Sequence, residues 1–133
     1  GVNDALVLGQ QAFASYGDLK VSAGSLEFET GATWLNGTNV TVCGTGTLRL
    51  HQGGVFAGAH AVLHVSEEGL LALDAGVAQA FAAGWVENAQ GQMTRLPAGT
   101  YSAANPGALA SHFAEGSQGS ITIRRHGFRL TLM

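Results

Sequence analysis

Three ionisable residues recur at a nearly constant spacing and could together perform acid–base chemistry. Glu29, His51 and Asp74 are separated by 22 and 23 residues. An imidazole between two carboxylates can transfer protons or hold a metal ion. The same column can equally be charge pairing on a solvated face, where each pair contributes less than about 1 kcal/mol. Charge pairing is the favoured interpretation, and a hydrolase or lyase that uses this column is the alternative.

The apolar residues around this column repeat with the same spacing. Short segments alternate apolar and polar residues with the period of a β-strand, and Gly-rich or polar turns separate them. Equivalent inward positions are 22 or 23 residues apart: Leu26, Leu48 and Leu71, then Phe28, Leu50 and Leu73. The intervening positions then point outward, where Glu27 is expected to meet Arg49. Trp34 and Phe56 are also 22 apart and predict an aromatic stack.

A repeat of this kind predicts a solenoid. Each unit of about 22 residues would form one coil with two short strands, and parallel stacking of coils would bury a continuous core. The fold class is therefore mainly β, a single-stranded parallel β-helix in one domain, residues 1–133. Its coils are expected at about 5–84 and a C-terminal cap at about 85–133, because the repeat fails there. A Gly-rich β-sandwich is the competing fold, although it need not repeat residue types at one spacing.

Composition excludes several functional classes. Glycine accounts for 20 of 133 residues and charged residues for only 11%, which argues against an ordinary helical domain. The formal net charge of −3 leaves no broad basic surface, so nucleic acid is not an expected partner. No apolar run approaches the roughly 18 residues of a membrane span. No nucleotide-binding or zinc motif occurs, so we predict no cofactor and no metal.

The cap region concentrates residues that could bind sugars. Aromatic rings can stack on the apolar face of a pyranose, because the sugar CH groups meet the negative face of the ring. Amides, imidazoles and guanidinium groups can fix the hydroxyls. The candidate glycan-binding residues are Trp85, Tyr101, Asn88, Arg95 and His112, with Glu29, His51 and Asp74 as an alternative face. The alternative role for Trp85 and Tyr101 is to plug the end of the solenoid.

The segment around these residues resembles a known type of domain. The run Leu96-Pro97-Ala98-Gly99-Thr100-Tyr101 and the later Gly119-Ser120-Ile121-Thr122-Ile123 are similar to the terminal segment of Gly-rich β-helix proteins of the autotransporter-passenger type. Such domains occur near the C-termini of extracellular bacterial proteins, including polysaccharide-degrading enzymes. The resemblance implies a right-handed β-helix that is secreted or held at the bacterial cell surface.

These observations predict a non-catalytic accessory domain rather than an enzyme. The expected ligand is a polysaccharide or host glycan, and the expected partners are neighbouring domains of a larger chain. By the resemblance, the parent protein is a candidate glycoside hydrolase or polysaccharide lyase. The alternative is a purely structural cap or spacer that stabilises a neighbouring catalytic or adhesin domain.

Overall fold

The computed structural model describes residues 5–8, 12–14, 18–35, 39–53, 55–56 and 61–124. In these residues the chain is mainly β, with parallel-rich sheets, no α-helix and one short 3₁₀ turn at Gly107–Leu109. The fourteen strands, in chain order, are β1 Ala5–Leu8, β2 Ala12–Ala14, β3 Leu19–Val21, β4 Ser25–Phe28, β5 Thr33–Leu35, β6 Asn39–Val42, β7 Thr47–Leu50, β8 Val62–Val65, β9 Leu70–Leu73, β10 Ala78–Phe81, β11 Ala83–Glu87, β12 Met93–Arg95, β13 Gly99–Ser102 and β14 Ser120–Ile123.

Two large sheets carry the repeat. One has the order β1-β4-β7-β9 and is parallel throughout, with Leu26, Leu48 and Leu71 as register partners. The other has the order β12-β11-β8-β6-β3, and its only antiparallel pair is β11 with β12. The predicted apolar ladders are thus confirmed, because the parallel strands of both sheets pair with the equivalent strands of the next repeat.

Beside the two large sheets, a third and smaller side of the molecule is formed by parallel contacts between residues that include several aromatic ones. β2 pairs with β5 in parallel, and a parallel bridge joins Trp34 to Phe56, so these residues are equivalent as their spacing predicted. Each of their rings packs edge-on against Phe28. The ring of Phe56 packs against the rings of Phe28 and Phe81, at centroid distances of 5.3 and 5.7 Å. These aromatic contacts fill the interior between the sheets, where the inward residues of the strands are almost wholly buried.

Gln79 stabilises this third side through its buried side chain. Its Oε1 accepts the backbone N–H of Val55 at 2.8 Å, and its Nε2 donates to the Ala80 carbonyl at 2.8 Å. The amide group therefore pairs a buried backbone N–H near Phe56, where an unpaired group would be costly.

Antiparallel pairing begins later than the expected start of the cap. β11 still pairs in parallel with β8, so the boundary expected at residues 84–85 falls inside a parallel strand. The first antiparallel strand is β12, and β13 then pairs antiparallel with β14. Of the expected cap, residues 125–133 lie outside the described residues.

Candidate functional site

The first candidate site is a group of four side chains on the outside of the β1-β4-β7-β9 sheet. We call Glu27, Arg49, His51 and Asp74 the charged column. The backbone pairing of this sheet continues one residue beyond its strands, because His51 N–H donates to the Phe28 carbonyl and Asp74 N–H to the Leu50 carbonyl, each at 3.1 Å. This continuation places His51 between the preceding and following repeats.

The contacts of His51 agree with the prediction at one ring nitrogen and differ at the other. Its Nδ1 lies 2.5 Å from Asp74 Oδ2, as the column predicted. Its Nε2 bonds Glu27 rather than Glu29. Glu29 instead lines, with Glu27, Thr30 and His51, a surface depression of about 370 Å³. Glu29 lies opposite His51 in the register of the sheet, but the His51 side chain contacts Glu27, two residues earlier in the chain.

Arg49 also has a partner other than the expected one. Glu27 is its backbone register partner, yet the guanidinium Nη2 donates to Asp74 Oδ1 at 2.9 Å. Arg49 thus pairs with the carboxylate of the following repeat instead of that of the preceding one. Asp74 therefore bonds two side chains of the charged column, Arg49 at Oδ1 and His51 at Oδ2.

The charged column favours the protonated form of His51. Its pKa is raised above the ordinary value, chiefly by the hydrogen bond with Glu27 and also by the bond and charge of Asp74, against a lowering by partial burial. Both ring nitrogens face carboxylates, so neither presents a free lone pair to a substrate. The geometry gives His51 no position from which to act as a general base. Glu27, Glu29 and Thr30 can accept hydrogen bonds from a hydroxyl-bearing ligand in the depression.

The second candidate site crosses the outside of the five-stranded sheet. Successive register partners place five side chains in one line, which we call the aromatic row: Lys20, Thr41, His64, Trp85 and Arg95. Trp85 is half-buried, and the Arg95 guanidinium carbon lies 5.8 Å from the centroid of its ring. The structure thus brings together two of the predicted glycan-binding residues and joins them to three residues of earlier repeats.

Two other predicted glycan-binding residues point into the interior. Tyr101 and His112 are each only 8% exposed. The Tyr101 hydroxyl donates to the Pro97 carbonyl, and burial raises its pKa. His112 donates from Nδ1 to the Gly69 carbonyl at 2.9 Å. Neither ring offers an open face for a sugar, because the terminal segment folds against the core and uses their polar atoms for internal bonds.

Asn88 has a structural role in a turn. Its Oδ1 accepts the backbone N–H groups of Gln90 and Gln92, each at 2.9 Å. These bonds close the connection between β11 and β12, the two strands that carry Trp85 and Arg95. Asn side chains commonly stabilise turns in this way, since their carbonyl can mimic a backbone acceptor.

Sequence reasoning missed the partner of His64. Asn39 Nδ2 donates to Asp18 Oδ1 at 3.1 Å, which directs Asn39 Oδ1 towards His64 Nε2 at 3.0 Å. His64 therefore donates from Nε2, and its pKa is lowered by burial although the charge of Asp18 opposes that shift. No motif in the sequence indicated this contact.

Other kinds of site have little support in the described part of the chain. No group of three or more His, Cys, Asp or Glu side chains there could hold a metal ion. Nor does that part contain a helix with the length and apolar character needed to cross a membrane. No protein-family model, curated protein or solved structure matches the chain.

Proposed function

We propose that this chain is the capped end of a single-stranded parallel β-helix, and that it is a non-catalytic accessory domain of an extracellular bacterial protein. Its role is to end the β-helix and to stabilise a neighbouring domain. The right-handed coil and the extracellular location rest on the resemblance. The coil itself is supported by register partners 20 to 23 residues apart along both large sheets, such as Leu19, Val40 and Leu63.

The observation that carries this proposal is that residues 93–124 pair with the last repeat strand of each of three sides, which are β9, β10 and β11. β12 pairs with β11, and β14 pairs with β10 while β13 covers β14. On the remaining side, Leu71 N–H donates to the His112 carbonyl and Ala114 N–H to the Leu71 carbonyl, both at 2.8 Å. An unpaired edge of a parallel sheet invites further strands. Here the outermost strands β12 and β13 are antiparallel to their neighbours, so the parallel stack does not continue in register past them.

The opposite end is the place we propose for the neighbouring domain. Among the described residues, β1, β2 and β3 each pair with a strand on one edge only. A further coil stacked there would continue all three sides in the same register, which is how repeat proteins extend their core.

The capping role is tested by Ile121→Lys, with Thr122→Lys as its control on the same strand. Ile121 is fully buried, whereas the adjacent Thr122 is half-buried and shares a hydrogen bond with Thr100. We expect Ile121→Lys to detach β14 and to reduce amide hydrogen-exchange protection most in β9, β10 and β11. Thr122→Lys should leave that protection nearly unchanged. Unaltered protection of β9–β11 in folded Ile121→Lys would reject the capping role.

Glycan binding is the second candidate function, and the aromatic row supports it. Trp85 lies on an outer sheet face beside the imidazole of His64 and in line with the Thr41 hydroxyl. An indole next to polar groups suits a sugar with one apolar face and several hydroxyls. The depression at Glu27, Glu29 and His51 is the alternative face.

This binding is tested by affinity electrophoresis through neutral, acidic and sulfated polysaccharides. Trp85→Ala should abolish retardation, whereas Met93→Ala, which removes an exposed apolar side chain from the neighbouring strand, should not. Glu29→Gln is included to test the depression. Retardation that survives both Trp85→Ala and Glu29→Gln would exclude both faces, and no retardation of the unaltered protein would leave the structural role alone.

A further inference from the structure

The imidazole of His51 joins parts of the sheet that share no backbone hydrogen bonds. Glu27 belongs to β4, His51 follows β7 and Asp74 follows β9. In the sheet order β1-β4-β7-β9, β4 and β9 both pair with β7 but not with each other. The side chain of His51 therefore connects three successive repeats on the outside of the sheet, through bonds at Nε2 and Nδ1.

The hydrogen-bond geometry specifies how many protons the ring carries. A carboxylate accepts hydrogen bonds and cannot donate them, and a neutral imidazole has one donor and one acceptor nitrogen. Two carboxylate partners are therefore satisfied only when both ring nitrogens carry hydrogen. In that form the charged column is balanced, with Glu27 and Asp74 negative and His51 and Arg49 positive.

We propose that His51 is a proton-controlled clamp that holds β4, β7 and β9 together on this face and releases one carboxylate when it loses its proton. The released carboxylate then faces a ring lone pair instead of an N–H. Because Glu27 also lines the depression with Glu29 and Thr30, release at that side opens the depression. The charged groups of the described residues around the ring are Glu27, Glu29, Arg49 and Asp74.

The sign of the pH response follows from these partners. His51 holds its proton more tightly in the folded protein, since the hydrogen bond with Glu27 raises its pKa above 6.5. Its contribution to stability is complete below that ordinary value and is lost as the pH rises through the folded pKa. The pKa of His64 is lowered by burial, so its protonation opposes folding as the pH falls.

The test is urea denaturation of the unaltered protein, His51→Gln and His64→Gln at pH values from 5.5 to 9. The single amide nitrogen of Gln cannot replace the two ring nitrogens that face Glu27 and Asp74, so this variant lacks the clamp. We expect the folding equilibrium constant of the unaltered protein to exceed that of His51→Gln most at pH 5.5 and to converge on it towards pH 9. Each unit of upward pKa shift corresponds to about a tenfold ratio. His64→Gln should show the opposite trend.

A second measurement needs no variant. Two-dimensional NMR of the unaltered protein reports the titration of each imidazole and the hydrogens on each ring nitrogen. We expect His51 to carry both ring hydrogens at pH 6.5 and to titrate above His64. A His51 that titrates at or below 6.5, or a pH-independent difference between the unaltered protein and His51→Gln, would overturn the clamp.

Discussion

Among the described residues, His51 and His64 lie on the outer faces of the two large sheets, and they have opposite protonation preferences. In the charged column, His51 bonds Glu27 and Asp74, and its pKa is raised. In the aromatic row, His64 bonds the neutral amide of Asn39, and burial lowers its pKa. Both rings stand outside parallel sheets and near the ends of strands, so the backbone setting does not distinguish them.

The comparison shows that register supplies the neighbours of each histidine, while the charge of those neighbours and the burial of the ring set its pKa. The repeat places a side chain about 4.8 Å from its equivalents in the next strands. Two carboxylate neighbours raise the pKa of His51, whereas burial beside a neutral amide lowers the pKa of His64.

The largest effect is expected from Gly69→Ala, which disturbs the corner between the strand of His64 and the strand before Asp74. A Cβ at Gly69 would lie 2.5 Å from the Val42 carbonyl oxygen, so the backbone must move. We expect a loss of about 2–3 kcal/mol of unfolding free energy from this overpacking. Urea denaturation measures it.

Gly76→Ala is the matched control. Its Cβ would have no heavy atom within 4 Å, but Gly76 has φ +85°, which disfavours an L side chain. The strain alone should cost about 1 kcal/mol. Equal losses in the two variants would show that close stacking of the repeats at Gly69 is not what limits substitution.

The second prediction exchanges the neutral neighbour of His64 for a charged one. Asn39→Asp places a carboxylate where the amide oxygen now accepts from Nε2. A carboxylate at that distance favours the imidazolium, so we expect the pKa of His64 to rise by about 1 unit. An NMR titration measures the change.

Asn39→Ser is the neutral control and should not raise that pKa. If both variants change the pKa of His64 equally, burial rather than the charge of its partner determines that pKa. The aromatic row would then differ from the charged column by its solvent exposure alone.

The smallest effect is expected from Arg49→Met. The Arg49 side chain is 45% exposed and that of its partner Asp74 is 34% exposed, so solvent screens their attraction. We expect a loss below about 1 kcal/mol, and a smaller one in 1 M salt. Urea denaturation at both salt concentrations tests this, and a loss of the same size as in Gly69→Ala would show that Arg49 is essential to the charged column.

The ladders could be predicted because they depend on a repeated local pattern. Leu26, Leu48 and Leu71 alternate with polar residues in every unit, and only one register buries all of them. The partners of His51 and Arg49 could be predicted only in part. Their side chains are long enough to reach either a direct or a diagonal neighbour, and the strand register alone does not specify which one they contact.

For the cap residues, the sequence did not predict which side chains are buried. The run around Tyr101 contains groups that are common at sugar-binding surfaces, and nothing in it distinguishes an exposed ring from a buried one. The pairing of β13 with β14 places Tyr101 beside Ile121, inside the molecule. His112 was likewise a polar candidate until its bond to the Gly69 carbonyl placed it in the interior.

Periodic apolar residues were thus enough to predict a mainly β chain, its parallel partners and the side of each strand that faces the core. These properties follow from the strand period of two and from the burial of apolar surface. The protonation of His51, the contrasting state of His64 and the burial of Tyr101 were decided only by the folded chain. Each depends on desolvation and on charges that folding brings within a few ångströms from distant parts of the sequence.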